Sequence, residues 1–492
     1  MNTYSKFLRN NIIIFSGQIL SYLQGIIIIP IIIKTVGVHI YGGYILLISI
    51  VGFIYGISSF GVGFCRSRFL PSATGKESRQ LLFFPQFYFQ CVSLLIISII
   101  SVYFYPYFDK YFLKGDISFS IWLIVPYFAF YLLYSQASDY FRYTHRMGLF
   151  NFGVIAFLFI NIAFILLAFT RGYKLTVNAL FGLQIASSIL VALPLSIKMF
   201  REIGFRFALE SAGNFINDIK LGFPLVLIFI VETMLISSDR FIISAFLSVS
   251  DVGYYNPGYS LGSFIIFFAK VSGVVLPPLL SKAVDSGDEV EAHTMFNYTV
   301  KGFMLLAIPF IVGCVVMSKP ILSLLANAEV AKKGHVVAPI VALGALFYGL
   351  NIILSNVLFV RMKTVVMFKM NLIAATLKII LNLVLLYIFR DILVAAFTTF
   401  ICYFVVFILM LRAVLADWTV SFNPGTMVKS VVASLFMGLV LYSLSSMLGQ
   451  SSQRLVSIFL EIGLGIIIYT LALLALKTFS RKELLYLRKA YS

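Results

Sequence analysis

The sequence predicts an all-α integral membrane protein with about 14 transmembrane helices, arranged as two six-helix lobes plus two C-terminal helices, with the N and C termini cytoplasmic. Three observations predict this fold class: the apolar composition, the length of the apolar runs, and the distribution of Lys and Arg between loops. The 492 residues are 61% hydrophobic and 11% charged, with a mean hydropathy of +1.01. A soluble protein covers its surface with polar side chains, so a chain this apolar needs lipid as its solvent.

The apolar runs are continuous and roughly 20 residues long, the length of a helix that crosses about 30 Å of hydrocarbon. A membrane β-barrel would show alternation over about 10 residues, and the sequence shows none. The first run is too long for a signal peptide and lacks a cleavage pattern, so we expect it to remain as a span. The predicted spans are 11–33, 41–64, 81–106, 117–138, 149–170, 176–198, 221–247, 260–281, 298–317, 337–358, 370–389, 392–412, 429–448 and 455–476.

The Lys and Arg residues alternate in density from one loop to the next. About 24 of them lie in one set of loops, which includes both termini, and about 10 lie in the other set. Because cytoplasmic loops retain Lys and Arg, this bias places both termini in the cytoplasm and requires an even number of spans. The same retention accounts for most of the net charge of +18, so we expect no nucleic-acid partner.

A weak internal repeat relates two interhelical segments. Val36–Tyr44 joins the first two spans and Asp251–Tyr259 joins the seventh and eighth, and each contains a Val-Gly pair followed by aromatic and glycine positions. Two-lobed transporters are commonly built from such repeats, with the substrate site near the midplane. The predicted division is an N-lobe at 1–198, a cytoplasmic linker at 199–220, a C-lobe at 221–412, and a C-terminal segment at 413–492 with spans 13 and 14 and a basic tail.

Ionisable residues inside spans are the strongest indications of function, because each costs at least about 2.5 kcal/mol in a lipid-facing helix. The seventh span carries Glu232, Asp239 and Arg240, and the two carboxylates lie nearly on one helical face. One interpretation is an interhelical ion pair that fixes helix packing. The other is a charged cavity lining, or a carboxylate that takes up a coupling proton or Na⁺.

Two lysines lie near the middle of predicted spans, Lys270 in the eighth and Lys378 in the eleventh. Asn371, Lys378 and Asn382 share one helical face, and a polar stripe with a central lysine suits an anionic phosphate or acidic sugar in a wet cavity. The alternative is that these lysines pair with Glu232 or Asp239.

Three further cations are candidates for the substrate cavity. Lys34 lies at the outer end of the first span, where the alternative is an interfacial anchor. Arg66 and Arg68 follow the second span and are placed to meet a lipid pyrophosphate. Their alternative role is retention on the cytoplasmic side with contact to anionic lipid.

No motif for catalysis, ATP or a metal is visible. The sequence has no Walker A pattern, and its four histidines are dispersed. The four cysteines lack the spacing of metal ligands or of a disulfide framework. We therefore expect a protein that is not an enzyme and has no cofactor and no metal site.

Three groups of residues resemble a known family. They are Pro30 with Lys34-Thr35-Val36-Gly37 and Tyr41-Gly42; Ser238-Asp239-Arg240-Phe241 with Val252-Gly253-Tyr254-Tyr255; and Leu276-Pro277-Pro278 with Ser281 and Gly287-Asp288. With these motifs the chain resembles the O-antigen (Wzx-type) polysaccharide-unit flippases of the multidrug/oligosaccharidyl-lipid/polysaccharide exporter superfamily, along nearly its whole length. Members usually have Arg where Lys34 stands.

The resemblance implies two lobes around a central cationic cavity. It implies a protein that flips undecaprenyl-diphosphate-linked oligosaccharide, an O-antigen or other polysaccharide repeat unit, from the cytoplasmic to the periplasmic leaflet by alternating access, coupled to an ion gradient and not to ATP. The implied location is the bacterial inner membrane. The implied partners are the lipid-linked oligosaccharide, membrane lipids, and a polysaccharide polymerase with its assembly proteins.

Three alternatives remain open. A multidrug antiporter of the same superfamily would favour an anionic cavity and usually has twelve spans, and Lys270 and Lys378 argue against it. A lipid II flippase of cell-wall synthesis fits the span number equally well. A membrane-embedded polymerase or glycosyltransferase would need a large outer loop or a catalytic domain, and no outer loop here is longer than about 20 residues.

Overall fold

The computed structural model describes residues 27–73, 75–144, 146–204, 212–448 and 454–478, and within these ranges the regular structure is helical, without strands. The helices are α1 (Ile27–Val36), α2 (Val38–Ser58), α3 (Val62–Phe69), α4 (Lys76–Phe108), α5 (Ile124–Tyr143), α6 (Met147–Thr170), α7 (Val177–Ile203), α8 (Ala212–Phe246), α9 (Val249–Ser263), α10 (Ile266–Asp285), α11 (Glu289–Leu325), α12 (Ala328–Gly334), α13 (Val337–Val360), α14 (Thr364–Phe389), α15 (Ile392–Leu415), α16 (Pro424–Leu448) and α17 (Arg454–Ala475).

In the described ranges, 12 helices are long and apolar enough to cross a membrane. They correspond to the predicted spans two to six and eight to fourteen. The predicted seventh span is also helical, within α8. The predicted first span, 11–33, lies mostly outside the described residues, and only its end is seen, in α1. The all-α membrane fold is confirmed, whereas the count of fourteen and the cytoplasmic termini stay predictions.

The chain divides into two compact units, residues 1–256 (unit 1) and 257–492 (unit 2). The division into lobes with a linker at 199–220 stays a prediction. Part of that linker, 205–211, and most of the basic tail, 479–492, lie outside the described residues.

The second predicted span, 41–64, is interrupted. Helix α2 ends at Ser58 and α3 begins at Val62, and between them Phe60 and Gly61 have positive φ angles of 44° and 74°. A side chain at Gly61 would overlap the backbone of Gly222 on α8, so the interruption packs tightly against that helix. The redirected chain lets α3 contact α4, α5 and α8 inside unit 1.

The two segments of the predicted repeat contact each other. A Cβ on Gly42 would overlap the carbonyl oxygen of Val249, and a Cβ on Gly253 would overlap that of Val38. The residues in these two contacts are 207 and 215 positions apart, so the contacts are reciprocal about a separation of 211. His39 Nδ1 lies 3.0 Å from Ser250 Oγ, and this pair is itself 211 residues apart. The structure therefore relates the segments by 211 residues, which pairs Val38 with Val249. The sequence alone aligns Val36-Gly37 with Val252-Gly253, which is a different register. The structure departs from it because Gly37 precedes α2, whereas Gly253 lies within α9.

Unit 2 is built around α13, the most buried of the candidate spans. This helix packs against α10, α11 and α15. Its small residues, such as Ala338, Ala342 and Gly344, permit the close approach that stabilises helix pairs in lipid. The C-terminal pair α16 and α17 packs on α11, where Tyr469 donates a hydrogen bond of 2.8 Å to the carbonyl of Leu305.

Candidate functional site

A group of buried polar side chains lies inside unit 1, on four helices that the composition marks as membrane-spanning. Polar groups in hydrocarbon must face the interior of the bundle and find partners there. The four helices therefore pack against one another through polar side chains as well as apolar ones. The buried members include Gln86, Gln90 and Ser93 on α4, Gln136 and Ser138 on α5, Asn161 on α6, and Ser187 and Ser188 on α7.

Arg66 reaches this polar interior from α3. The exposed fractions of Arg66, Gln90 and Gln136 are 3%, 2% and 1%. The Nη2 of Arg66 donates a long hydrogen bond of 3.4 Å to Gln90 Oε1, and Gln136 Nε2 donates one of 2.7 Å to the same oxygen. One amide oxygen thus holds a guanidinium and a carboxamide side by side.

The guanidinium of Arg66 is incompletely hydrogen-bonded. Its Nε and Nη1 are buried and have no hydrogen-bond partner among the described residues. The negative charge of Asp139 interacts favourably with this guanidinium. Arginine keeps its proton in proteins. A permanent buried cation with open N–H groups is costly in a protein interior, and an anion is the ligand that offsets this cost.

Arg142, on α5, is bound differently. Its Nη2 donates to Asp139 Oδ1 at 2.8 Å and to Tyr143 Oη at 2.7 Å, and its guanidinium lies 4.8 Å from the ring of Tyr143. The Arg142 side chain is also 40% exposed. The Nε of Arg142 is also buried without a hydrogen-bond partner among the described residues, but its Nη2 is paired with a carboxylate. Within the same part of the chain, Arg66 hydrogen-bonds only a neutral amide and is the better candidate for binding an anion.

The charged residues predicted on the seventh span lie on α8. Asp239 is fully buried, and its Oδ2 accepts a hydrogen bond of 2.8 Å from Tyr255 Oη on α9. Arg240 is partly buried and donates from Nη1 to Ser49 Oγ on α2 at 3.0 Å. Glu232 is exposed. Asp239 and Arg240 thus connect α8 to the two helices of the reciprocal contact, and their assignment to ion coupling or to structure stays a prediction.

Tyr255→Phe is expected to lower the free energy of unfolding by about 1.5 kcal/mol, because a buried carboxylate loses one of its donors. Thermal or denaturant unfolding of the purified protein in detergent measures this change. Tyr442→Phe is the matched control, because Tyr442 is exposed. Equal stability of Tyr255→Phe and the wild type would show that Asp239 does not depend on this hydroxyl.

In unit 2, Lys378 and Asn382 are fully buried on α14. The Nζ of Lys378 lies 5.6 Å from the ring centroid of Tyr403, and Thr398 donates a hydrogen bond of 2.6 Å to Asn382 Oδ1. Tyr403 itself stacks on Tyr348 at 4.5 Å. Both predicted residues therefore lie in a polar and aromatic cluster between α13, α14 and α15, and their contact with substrate stays a prediction.

Two of the remaining predicted cations are exposed. Lys34 is exposed at the end of α1, and Lys270 is exposed on α10. The side chain of Arg68 lies outside the described residues. The structure therefore hydrogen-bonds Arg66 to a neutral amide. It joins Asp239 to α9 and Arg240 to α2.

Sequence reasoning missed Gln90 and Gln136, because a search for charged residues passes over neutral amides. It also missed Glu461, a buried carboxylate on α17. A search for glutamines within apolar runs would have found the first two, since an amide in hydrocarbon also needs a partner.

Two protein-family models match the sequence. A family model described as "Polysaccharide biosynthesis protein" matches residues 7–284, more than half of the chain, and one described as MatE matches residues 224–384. No curated protein matches the sequence.

Solved structures share the fold at low identity. The lipid II flippase MurJ in an inward closed conformation is 16% identical, with a TM-score of 0.69 over 94% of this chain and 98% of that chain. An inward-facing MATE-family multidrug resistance transporter of the MOP superfamily is 11% identical, with a TM-score of 0.63 over 81% and 95%. A MATE transporter from Vibrio cholerae is 13% identical, with a TM-score of 0.56 over 84% and 97%.

Proposed function

The chain belongs to the polysaccharide biosynthesis protein family, and from this premise we propose that it flips an undecaprenyl-diphosphate-linked oligosaccharide from the cytoplasmic to the periplasmic leaflet by alternating access. The oligosaccharide is an O-antigen or another polysaccharide repeat unit. The protein changes the leaflet of its substrate and no bond in it, so it is a transporter and not an enzyme. Its proposed location is the bacterial inner membrane.

The observation that carries this proposal is the buried, incompletely hydrogen-bonded guanidinium of Arg66. A diphosphate cannot enter hydrocarbon with its charge uncompensated, and charge-assisted hydrogen bonds from arginine suit phosphate oxygens. Arg66 is buried in the conformation described, so we place its contact with substrate in a conformation that opens unit 1. Ligand binding then shifts the balance between the two conformations.

Several finer points belong to the same proposal. The energy comes from an ion gradient, with Asp239 as the candidate coupling carboxylate, because it is buried and charged groups in such positions commonly exchange ions. Lys34, Arg68, Arg240, Lys270, Lys378 and Asn382 are the further candidates for substrate contact. A polysaccharide polymerase and its assembly proteins are the proposed partners that use the flipped unit.

A second candidate is a lipid II flippase, favoured by the fold likeness to MurJ over nearly the full length of both chains. The third is a multidrug antiporter, favoured by the match of the MatE family model to residues 224–384. Lipid II and the oligosaccharide carrier share the diphosphate, so Arg66 does not separate the first two. A cationic drug is repelled by a buried guanidinium, which disfavours the third.

Deletion of the gene tests the proposal and separates the candidates. The expected result is a viable cell that lacks one surface polysaccharide and accumulates its undecaprenyl-linked unit on the cytoplasmic side. Loss of viability that a known lipid II flippase restores would support the second candidate. An intact polysaccharide with raised sensitivity to cationic dyes would support the third.

A further inference from the structure

The polar group around Arg66 contains open acceptors as well as open donors. The carbonyl oxygen Oε1 of Gln136 is buried and has no hydrogen-bond partner in the described part of the chain. The hydroxyl of Ser93 is buried and lacks a partner in the same sense. Ser93 lies three residues after Gln90 on α4, so the two side chains are neighbours on one face of that helix.

An anion alone cannot form hydrogen bonds with both the open donors and the open acceptors of this polar group. Phosphate oxygens accept hydrogen bonds from Arg66, but a carboxamide oxygen needs a donor. Leaving such a buried acceptor without a donor costs its full desolvation penalty. A ligand that matches both kinds of group presents an anion next to hydroxyls or amides that donate and accept.

The side chains place the open donors of Arg66 next to the open acceptor of Gln136. Arg66 and Gln136 are bound to the same oxygen of Gln90, so an anion on one and a hydroxyl on the other are immediate neighbours. In a diphospho-linked sugar the phosphate and the first sugar ring are covalently adjacent. A neutral amide also suits this position, because a carboxylate there would repel the diphosphate.

We propose that Gln136, with Ser93, hydrogen-bonds the first sugar of the substrate beside the diphosphate held by Arg66. This inference rests on the proposed function and deepens it, since it assigns recognition of the first sugar to named residues. The contact forms in the conformation that separates α3, α4 and α5, because these side chains are buried from solvent in the conformation described.

The test compares two probes on the full-length protein in lipid nanodiscs: undecaprenyl diphosphate and undecaprenyl-diphospho-N-acetylglucosamine. Gln136→Met keeps the length of the side chain and removes its hydrogen bonds. We expect it to weaken binding of the sugar-bearing probe about tenfold and to change binding of undecaprenyl diphosphate by less than about twofold. Gln184→Met is the matched control, at a partly buried glutamine on α7 whose Oε1 accepts a hydrogen bond from Tyr44.

Ser93→Ala, a smaller change, provides a second measurement in case Gln136→Met does not fold, and we expect the same selective weakening at about threefold. Equal weakening of both probes, or no change with either, would overturn the inference, since neither result shows a contact with the sugar. Arg66→Gln separates this failure from failure of the proposed function. If it leaves binding of undecaprenyl diphosphate unchanged, the anion site itself is wrong, whatever Gln136 does.

Discussion

Replacement of Arg66 by glutamine is expected to lower export of the surface polysaccharide by about tenfold or more, at normal abundance of the protein in the membrane. The magnitude follows from the loss of a charge-assisted hydrogen bond to phosphate, about 1.5–3 kcal/mol. Complementation of a deletion strain, with the polysaccharide quantified per protein, measures the effect.

The stability of the same variant distinguishes binding from structure. The Arg66 guanidinium is buried with two nitrogens lacking partners in the described residues, so replacing it by a neutral amide removes a desolvation cost. We therefore expect Arg66→Gln to unfold at or above the wild-type temperature while export falls. Such a trade-off is typical of functional sites.

Two further variants complete the Arg66 experiment. Arg201→Gln, at an exposed arginine on α7, removes the same charge and is expected to leave export unchanged. Arg66→Lys keeps the charge but loses the planar set of donors, and we expect an intermediate loss. Full export by Arg66→Gln at normal abundance would remove Arg66 from the substrate site.

Replacement of Gly42 by alanine is expected to lower the free energy of unfolding by about 3 kcal/mol, near the upper end of the usual range for overpacking. The added Cβ would overlap the carbonyl oxygen of Val249, and backbone at a helix crossing cannot move aside as a flexible side chain does. Because this position lies in the reciprocal contact of α2 and α9, we also expect export to fall.

Unfolding of the purified variant in detergent measures the change. Gly52→Ala is the matched control on the same helix, since a Cβ at Gly52 meets nothing within 4 Å. It is expected to be neutral or slightly stabilising, as alanine is the better helix former. Similar stability of the two variants would contradict the close contact between α2 and α9.

The fold class and most spans could be predicted from the sequence, because the length and continuity of apolar runs are direct consequences of bilayer thickness. The interruption of the second span could not, because it depends on tertiary contact of Gly61 with α8 as much as on local composition. The register of the repeat depends in the same way on Gly42 and Gly253, whose partners are known only from the packing.

Only part of the candidate site could be predicted from the sequence. The charge of Arg66 predicts a functional role, but its burial and its link to Gln90 and Gln136 depend on the path of α3 into unit 1. The same charge criterion predicts a role for Lys34 and Lys270, and the structure leaves both exposed. Charge and position along a span therefore identify candidates, whereas only packing determines which of them become buried.

We propose that this chain moves a diphosphate-linked saccharide between leaflets, and translocation in proteoliposomes tests this activity most directly. The purified protein is reconstituted with fluorescent undecaprenyl-diphospho-N-acetylglucosamine, and the labelled headgroup in the outer leaflet is quenched by a membrane-impermeant reductant. Active wild-type protein should make nearly all of the label accessible to the reductant, while Arg66→Gln and protein-free vesicles should leave about half protected. Half protection with the wild type, under an imposed ion gradient as well as without one, would contradict the account.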